Sequence, residues 1–126
     1  MALAHEDLTG KIIGAAIEVH KVLGPGFVES IYEKALAVEL RYREIPFQRQ
    51  VTVPVFYREV EVGLHRIDLI VTDQIVVELK AVRDVTDTHF SFARSYLRAV
   101  GRDHGLILNF AKPTLEIKRV LAPSPG

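Results

Sequence analysis

The stretch Ile67-Asp68-Leu69-Ile70-Val71-Thr72-Asp73-Gln74-Ile75-Val76-Val77-Glu78-Leu79-Lys80 decides how this chain folds. Two apolar runs flank the short break Thr72-Asp73-Gln74. Runs of this length bounded by a polar break read as strands, and so short a break joins them antiparallel. Setting Val71 opposite Ile75 places Asp68 opposite Glu78. Opposed residues point to one face, with Cβ atoms about 4.5–5.5 Å apart. Lys80 lies two residues past Glu78 and points to that face as well. The hairpin therefore gathers Asp68, Glu78 and Lys80. Two close carboxylates repel unless a cation or a proton lies between them. Hard oxygen donors beside an ammonium suit Mg²⁺ (or Mn²⁺) and phosphate chemistry. The competing reading is a salt-bridged polar strand face, since exposed ion pairs are common and contribute little.

Outward from the hairpin, the N-terminal side is helical. Leu8, Ile12, Ala15, Ala16, Val19 and Leu23 recur at three- and four-residue spacing, which predicts an amphipathic helix over about 7–22, capped by Asp7 or Thr9. Gly24-Pro25-Gly26 ends it. A second helix is expected over about 27–43, with Val28, Ile31, Ala35 and Val38, joined by Leu36 and Leu40, as its apolar face. Pro46 marks the change to strands, read over 47–55 and 56–62 with Pro54 near the break. Beyond the hairpin, 88–101 reads as a helix carrying Phe92, Ala93, Tyr96, Leu97 and Val100 on one side. Leu106-Ile107-Leu108 is a buried strand, and Leu115 to Leu121 alternates as a last one. The expected order is α-α-β-β-β-β-α-β-β, an α/β arrangement with a mixed β-sheet flanked by helices.

The bulk properties are those of a soluble globular chain: 126 residues, 48% apolar and 25% charged. They point to one domain over 1–121 and a disordered tail over 122–126. A formal net charge of zero means that any polyanion site is a local patch. The absence of cysteine excludes a disulfide framework and thiolate chemistry. With no signal-peptide pattern and no apolar run approaching the roughly 20 residues of a spanning helix, a cytoplasmic location away from membranes is expected. The five histidines, at 5, 20, 65, 89 and 104, show no metal-ligand spacing.

The element order with a strand aspartate and a following Glu78-Leu79-Lys80 resembles the PD-(D/E)XK nucleases, the restriction-endonuclease-like fold. Within them the chain is most similar to the small bacterial GxxExxY family. Its motif stands as Gly26-Phe27-Val28-Glu29-Ser30-Ile31-Tyr32, followed by Arg66-Ile67-Asp68, Val77-Glu78-Leu79-Lys80-Ala81, Ser95-Tyr96-Leu97 and Gly105-Leu106-Ile107-Leu108-Asn109-Phe110. The likeness runs from about 8 to 121.

The resemblance implies a metal-dependent nuclease acting on DNA. Asp68 and Glu78, with the backbone at Leu79, are implied as ligands of Mg²⁺ (or Mn²⁺). Lys80 is implied as the catalytic lysine, and Glu29 as an acid supporting the metal through water. One departure stands out: where family members carry glutamine, four residues before Tyr96, this chain has Phe92. That keeps a second reading open, a catalytically impaired module for nucleic-acid or protein binding and assembly. Arg94, Arg98 and Arg102, at four-residue spacing, are candidate phosphate contacts or a solvated helix face. So small a chain leaves room for a homodimer or a protein partner.

Overall fold

The computed structural model describes residues 2–122, with side chains from His5 onward. The chain forms α1 (Ala2–Leu23), α2 (Glu29–Tyr42), β1 (Phe47–Tyr57), β2 (Val60–Val71), β3 (Ile75–Lys80), α3 (Asp87–Val100), β4 (His104–Asn109) and β5 (Glu116–Leu121). The strands make one sheet in the order β1-β2-β3-β4-β5. Only β3 and β4 run parallel, with α3 as their crossover, so the sheet is mixed as expected.

Two apolar clusters, one on each face, hold the layers together. Leu69, Val71, Ile75, Val77, Leu79, Leu106 and Leu108 pack against α1 and α2. Ile67, Ile70, Val76, Ile107 and Val120 pack against Ala93 and Leu97 of α3. Strand β3 is covered on both sides, and every residue from Ile75 to Leu79 is buried. A near-continuous apolar run is what a strand covered on both faces requires.

Several boundaries differ from the sequence reading. Helix α1 starts at Ala2, so Asp7 and Thr9 lie inside it and neither caps it. Good helix formers at 2–4 extend the helix past the polar residues that looked like a start. Gly24 stops it in the left-handed conformation, φ 69°. The Tyr32 hydroxyl pins the following link: it donates to the Gly24 carbonyl (2.6 Å) and accepts the Phe27 N–H (3.1 Å). The segments read as strands at 56–62 and 67–71 are parts of one hairpin. β1 continues to Tyr57, Arg58 and Glu59 turn with positive φ, and β2 runs unbroken from Val60. Two successive left-handed residues match the twist of a tight hairpin turn. Ala122, expected in the tail, is buried and donates its N–H to Asp103. The remaining tail residues, 123–126, lie outside the described residues.

Strand β1 is an edge strand, and Pro54 sits within it paired with Leu64. An edge is where a sheet accepts a residue with no N–H. Gln50, also in β1, is held at φ 52°. Phe47 packs against the α1/α2 cluster, yet Val51 and Val53 pack against the α3 cluster. Residues an even number apart should share a face. The left-handed backbone at Gln50 therefore turns the strand over. Its neighbour β2 does the same: Leu69 belongs to one cluster and Ile67 to the other. Asp68 is the residue at that crossover.

Candidate active site

The crossover opens the sheet. Pairing of β2 with β3 holds from Val71↔Ile75 to Leu69↔Val77 and stops there. At the next position the Asp68 carboxylate accepts the Leu79 N–H (2.9 Å), taking the place of a backbone partner. Asp68 and Glu78 thus come together where the strands part, one position past the last paired residues of the hairpin.

Glu78 is the one charged residue in the buried part of β3, and it is only 6% exposed. Its Oε1 is buried and has no hydrogen-bond partner among the described residues. Burial, then the facing Asp68 charge and the hydrogen bond between the two carboxyls, push the Glu78 carboxyl up to about 10. Burial raises Asp68 as well, opposed by its bonds to Glu78 and the Leu79 N–H. Without a cation the pair therefore shares a proton near neutral pH. Lys80, half-buried, is close enough to favour the ionised form of both acids. Its ammonium makes no ion pair within 4.0 Å among the described residues, which leaves its donors free for a ligand.

Helix α2 delivers two more acids on one face, four residues apart. Glu29 is exposed and accepts the Ala81 N–H (3.2 Å), directly after Lys80. Glu33, which the sequence reading missed, is buried and close enough to raise Asp68. Arg49 binds its Oε2 (2.9 Å), and the Gln50 amide binds its Oε1. The kinked strand is thereby tied to α2 beside Asp68.

Helix α3 borders the same region. Tyr96, read as core, is half-buried with its ring edge-on to His65 (4.5 Å). Its hydroxyl is raised by burial and by the Glu78 and Asp68 charges, which places it near the carboxylates. Phe92, expected beside it on one face, is 54% exposed. His89 accepts the Thr86 N–H (2.9 Å) and closes the helix start. Of the three arginines, Arg102 is engaged elsewhere: it binds the Asp73 carboxylate (2.9 Å) and carbonyl (2.7 Å) at the β2–β3 turn. Arg94 lies over the Phe90 ring (5.8 Å), and Arg98 lines an open groove with Phe56, His65 and Ser95.

Asn109 at the end of β4 is the second residue missed. Fully buried, it accepts the Val82 N–H (3.0 Å) and donates to the Val82 carbonyl (2.8 Å) and Glu116 (3.0 Å). The Phe110 N–H donates to the Lys80 carbonyl (2.9 Å). Together they fix the backbone that leaves Lys80. The donor set as a whole fits a hard divalent cation: two adjoining carboxylates, one buried oxygen without a protein partner, and a flanking ammonium.

Three comparisons bear on this arrangement. A family model described as the PD-(D/E)XK nuclease superfamily matches residues 6–120. No curated protein matches the sequence. Among solved structures, the crystal structure of SSO0001 superposes with a TM-score of 0.60 at 17% identity, covering 76% of this chain. The matched part is 50% of that protein's chain, so this chain corresponds to about half of it.

Proposed function

Since the chain belongs to the PD-(D/E)XK nuclease superfamily, whose members generally use divalent metals, we propose that it hydrolyses DNA phosphodiester bonds with Mg²⁺ or Mn²⁺. The observation that carries this reading is Glu78, a carboxyl buried in the central strand with an oxygen that no protein group satisfies. Burying such a group costs free energy unless a ligand or proton compensates it. Residues that break the local rules for a stable core are candidates for function. Within the superfamily, Gly26, Glu29 and Tyr32 favour the GxxExxY group: Glu29 meets the backbone after Lys80, and Tyr32 orders the loop that begins α2.

Asp68, Glu78 and the Leu79 carbonyl would hold the ion, which when bound supplies Lewis acidity toward a phosphate oxygen and a water. Lys80 donates to the scissile phosphate and the attacking water, and stabilises the charge that grows in the pentavalent transition state. Glu29, open to solvent beside Ala81, orders water around the site. Arg94 and Arg98 give the DNA backbone its phosphate contacts on the α3 side. Arg102 holds the β2–β3 turn instead.

Cleavage of linear, nicked and single-stranded DNA and of RNA, in Mg²⁺ and in Mn²⁺, tests the proposal. We expect cut DNA from the wild type and at least about 10²-fold less from Lys80→Ala, the scale on which one transition-state donor acts. Equal cleavage by purified Lys80→Ala would remove the lysine from the mechanism.

A binding module without catalysis is the second reading, and Phe92 favours it. An exposed ring stands on the helix that faces the acids, where a polar side chain would serve a substrate better. Because Phe92 is already half in solvent, Phe92→Gln should move the melting temperature by little, within about 0.5 kcal/mol of stability. If the ring alone blocks catalysis, Phe92→Gln raises the cleavage rate in Mn²⁺. A silent wild type and a silent, folded Phe92→Gln that both leave Mn²⁺ unbound would favour the binding module.

A further inference from the structure

A second group of ligand side chains lies away from Asp68 and Glu78. His5 on α1 and the neighbours Asp103 and His104 at the start of β4 place their ligand atoms within 4.8 Å of one another. The two imidazoles stack with centroids 4.2 Å apart and an interplanar angle of 21°. The Asp103 carboxylate lies 2.7 Å from Nδ1 of His104. Nothing in the nuclease reading uses these residues, and they share no side chain with it.

We propose that His5, Asp103 and His104 form a binding site for a borderline transition-metal cation of the Zn²⁺ class. Two imidazole nitrogens and one carboxylate are the donor types that Zn²⁺, Co²⁺ and Ni²⁺ prefer, whereas Mg²⁺ selects oxygen-only sets such as Asp68 and Glu78. Geometry permits it. Metal–donor bonds of about 2.0–2.2 Å put tetrahedral donors roughly 3.3–3.6 Å apart, so modest side-chain rotations bring all three onto one ion. Those rotations are available: the His104 and Asp103 side chains are 36% and 50% exposed and not packed in the core. The 2.7 Å Asp103–His104 contact already holds two of the three donors side by side, and the ion would take the place of the proton between them. Partial exposure leaves the fourth position to water, and the ion joins the first turns of α1 to the sheet. Because α1 packs on the sheet through Ile12, Ala15, Ala16 and Val19, a cross-link at its start extends that attachment by nearly two turns.

Calorimetric titration with Zn²⁺ tests the site, using protein in which Asp68→Asn and Glu78→Gln silence the other acids. One equivalent should bind and raise the melting temperature. Adding His5→Gln, or separately His104→Ala, should weaken binding at least about 10-fold. Co²⁺ in place of Zn²⁺ should give the visible absorption of a tetrahedral ion, lost in either histidine variant. Melting in chelator verifies that each variant is folded, and Asp103→Asn is an additional single change that leaves both imidazoles. Zn²⁺ affinity unchanged by both histidine substitutions, or no Zn²⁺ bound once the two acids are silenced, overturns the proposal.

Discussion

Glu78→Gln should stabilise the metal-free protein while removing metal-dependent cleavage. The carboxyl has an ordinary value of 4.5 and is pushed up to about 10 by burial and by Asp68. In the unfolded chain it loses its proton near 4.5; in the folded chain it keeps it to about 10. Folding therefore takes up a proton across that window, and stability falls as pH rises through it, by up to about 1.4 kcal/mol per pH unit for one proton. Glutamine has the shape of the protonated acid and no proton to take up, so this slope disappears. The variant should melt several degrees higher than the wild type at pH 8 and about equally at pH 4. Mn²⁺ should reverse the ranking. It replaces the shared proton in the wild type, so its stabilisation grows from pH 6 to pH 8, whereas in Glu78→Gln it gives little. Cleavage should drop by about 10³-fold, the upper range for loss of one electrostatic group at a reacting centre. Melting curves with and without Mn²⁺ at both pH values, beside a cleavage assay, read all three effects. A variant that keeps its Mn²⁺ response and its activity would falsify the assignment of the metal to Glu78.

Asn109→Ala should be the most damaging change to the fold near the site. The fully buried side chain satisfies both backbone groups of half-buried Val82 and links them to Glu116. Removing it leaves the partly buried N–H and C=O of Val82 without their partner, at up to about 1–3 kcal/mol for each group. A total near 2–4 kcal/mol is expected, readable by denaturant unfolding. Activity should fall with it even where the protein stays folded, because the backbone after Lys80 is no longer fixed. Loss of the lysine's orientation should appear as a lower kcat with little change in KM. Stability within about 0.5 kcal/mol of the wild type would show that water satisfies Val82 as well as Asn109 does.

The hairpin that carries Asp68, Glu78 and Lys80 was legible because strand geometry is local. A polar break of three residues sets the register, and register sets which side chains meet. Glu29 was legible only through a motif, and its bond to Ala81 spans 52 residues. Glu33 left a signal that went unread: it lies four residues past Glu29, so both share a helix face. Its partners could not be read the same way. Arg49 and Gln50 reach it because the strand turns over at Gln50, and a left-handed glutamine leaves no pattern in the sequence. The strand count was too high for a related reason. Val60, Val62 and Leu64 stand on a hairpin arm with no core against it, so their alternation says nothing about where β2 ends. The five histidines defeat spacing rules because His5 and His104 meet only through tertiary packing.

The turned-over edge strand bears on how the protein behaves in a crowded solution. An open sheet edge is a template on which another chain can add its own strand, and long flat edges drive aggregation. Along β1 that template is broken twice, by the left-handed backbone at Gln50 and by Pro54, which has no N–H to offer. No run of regular edge longer than a few residues remains along β1 for a second chain to copy. The kink that brings Gln50 to Glu33 beside Asp68 therefore also keeps the β1 edge of the sheet from recruiting its neighbours.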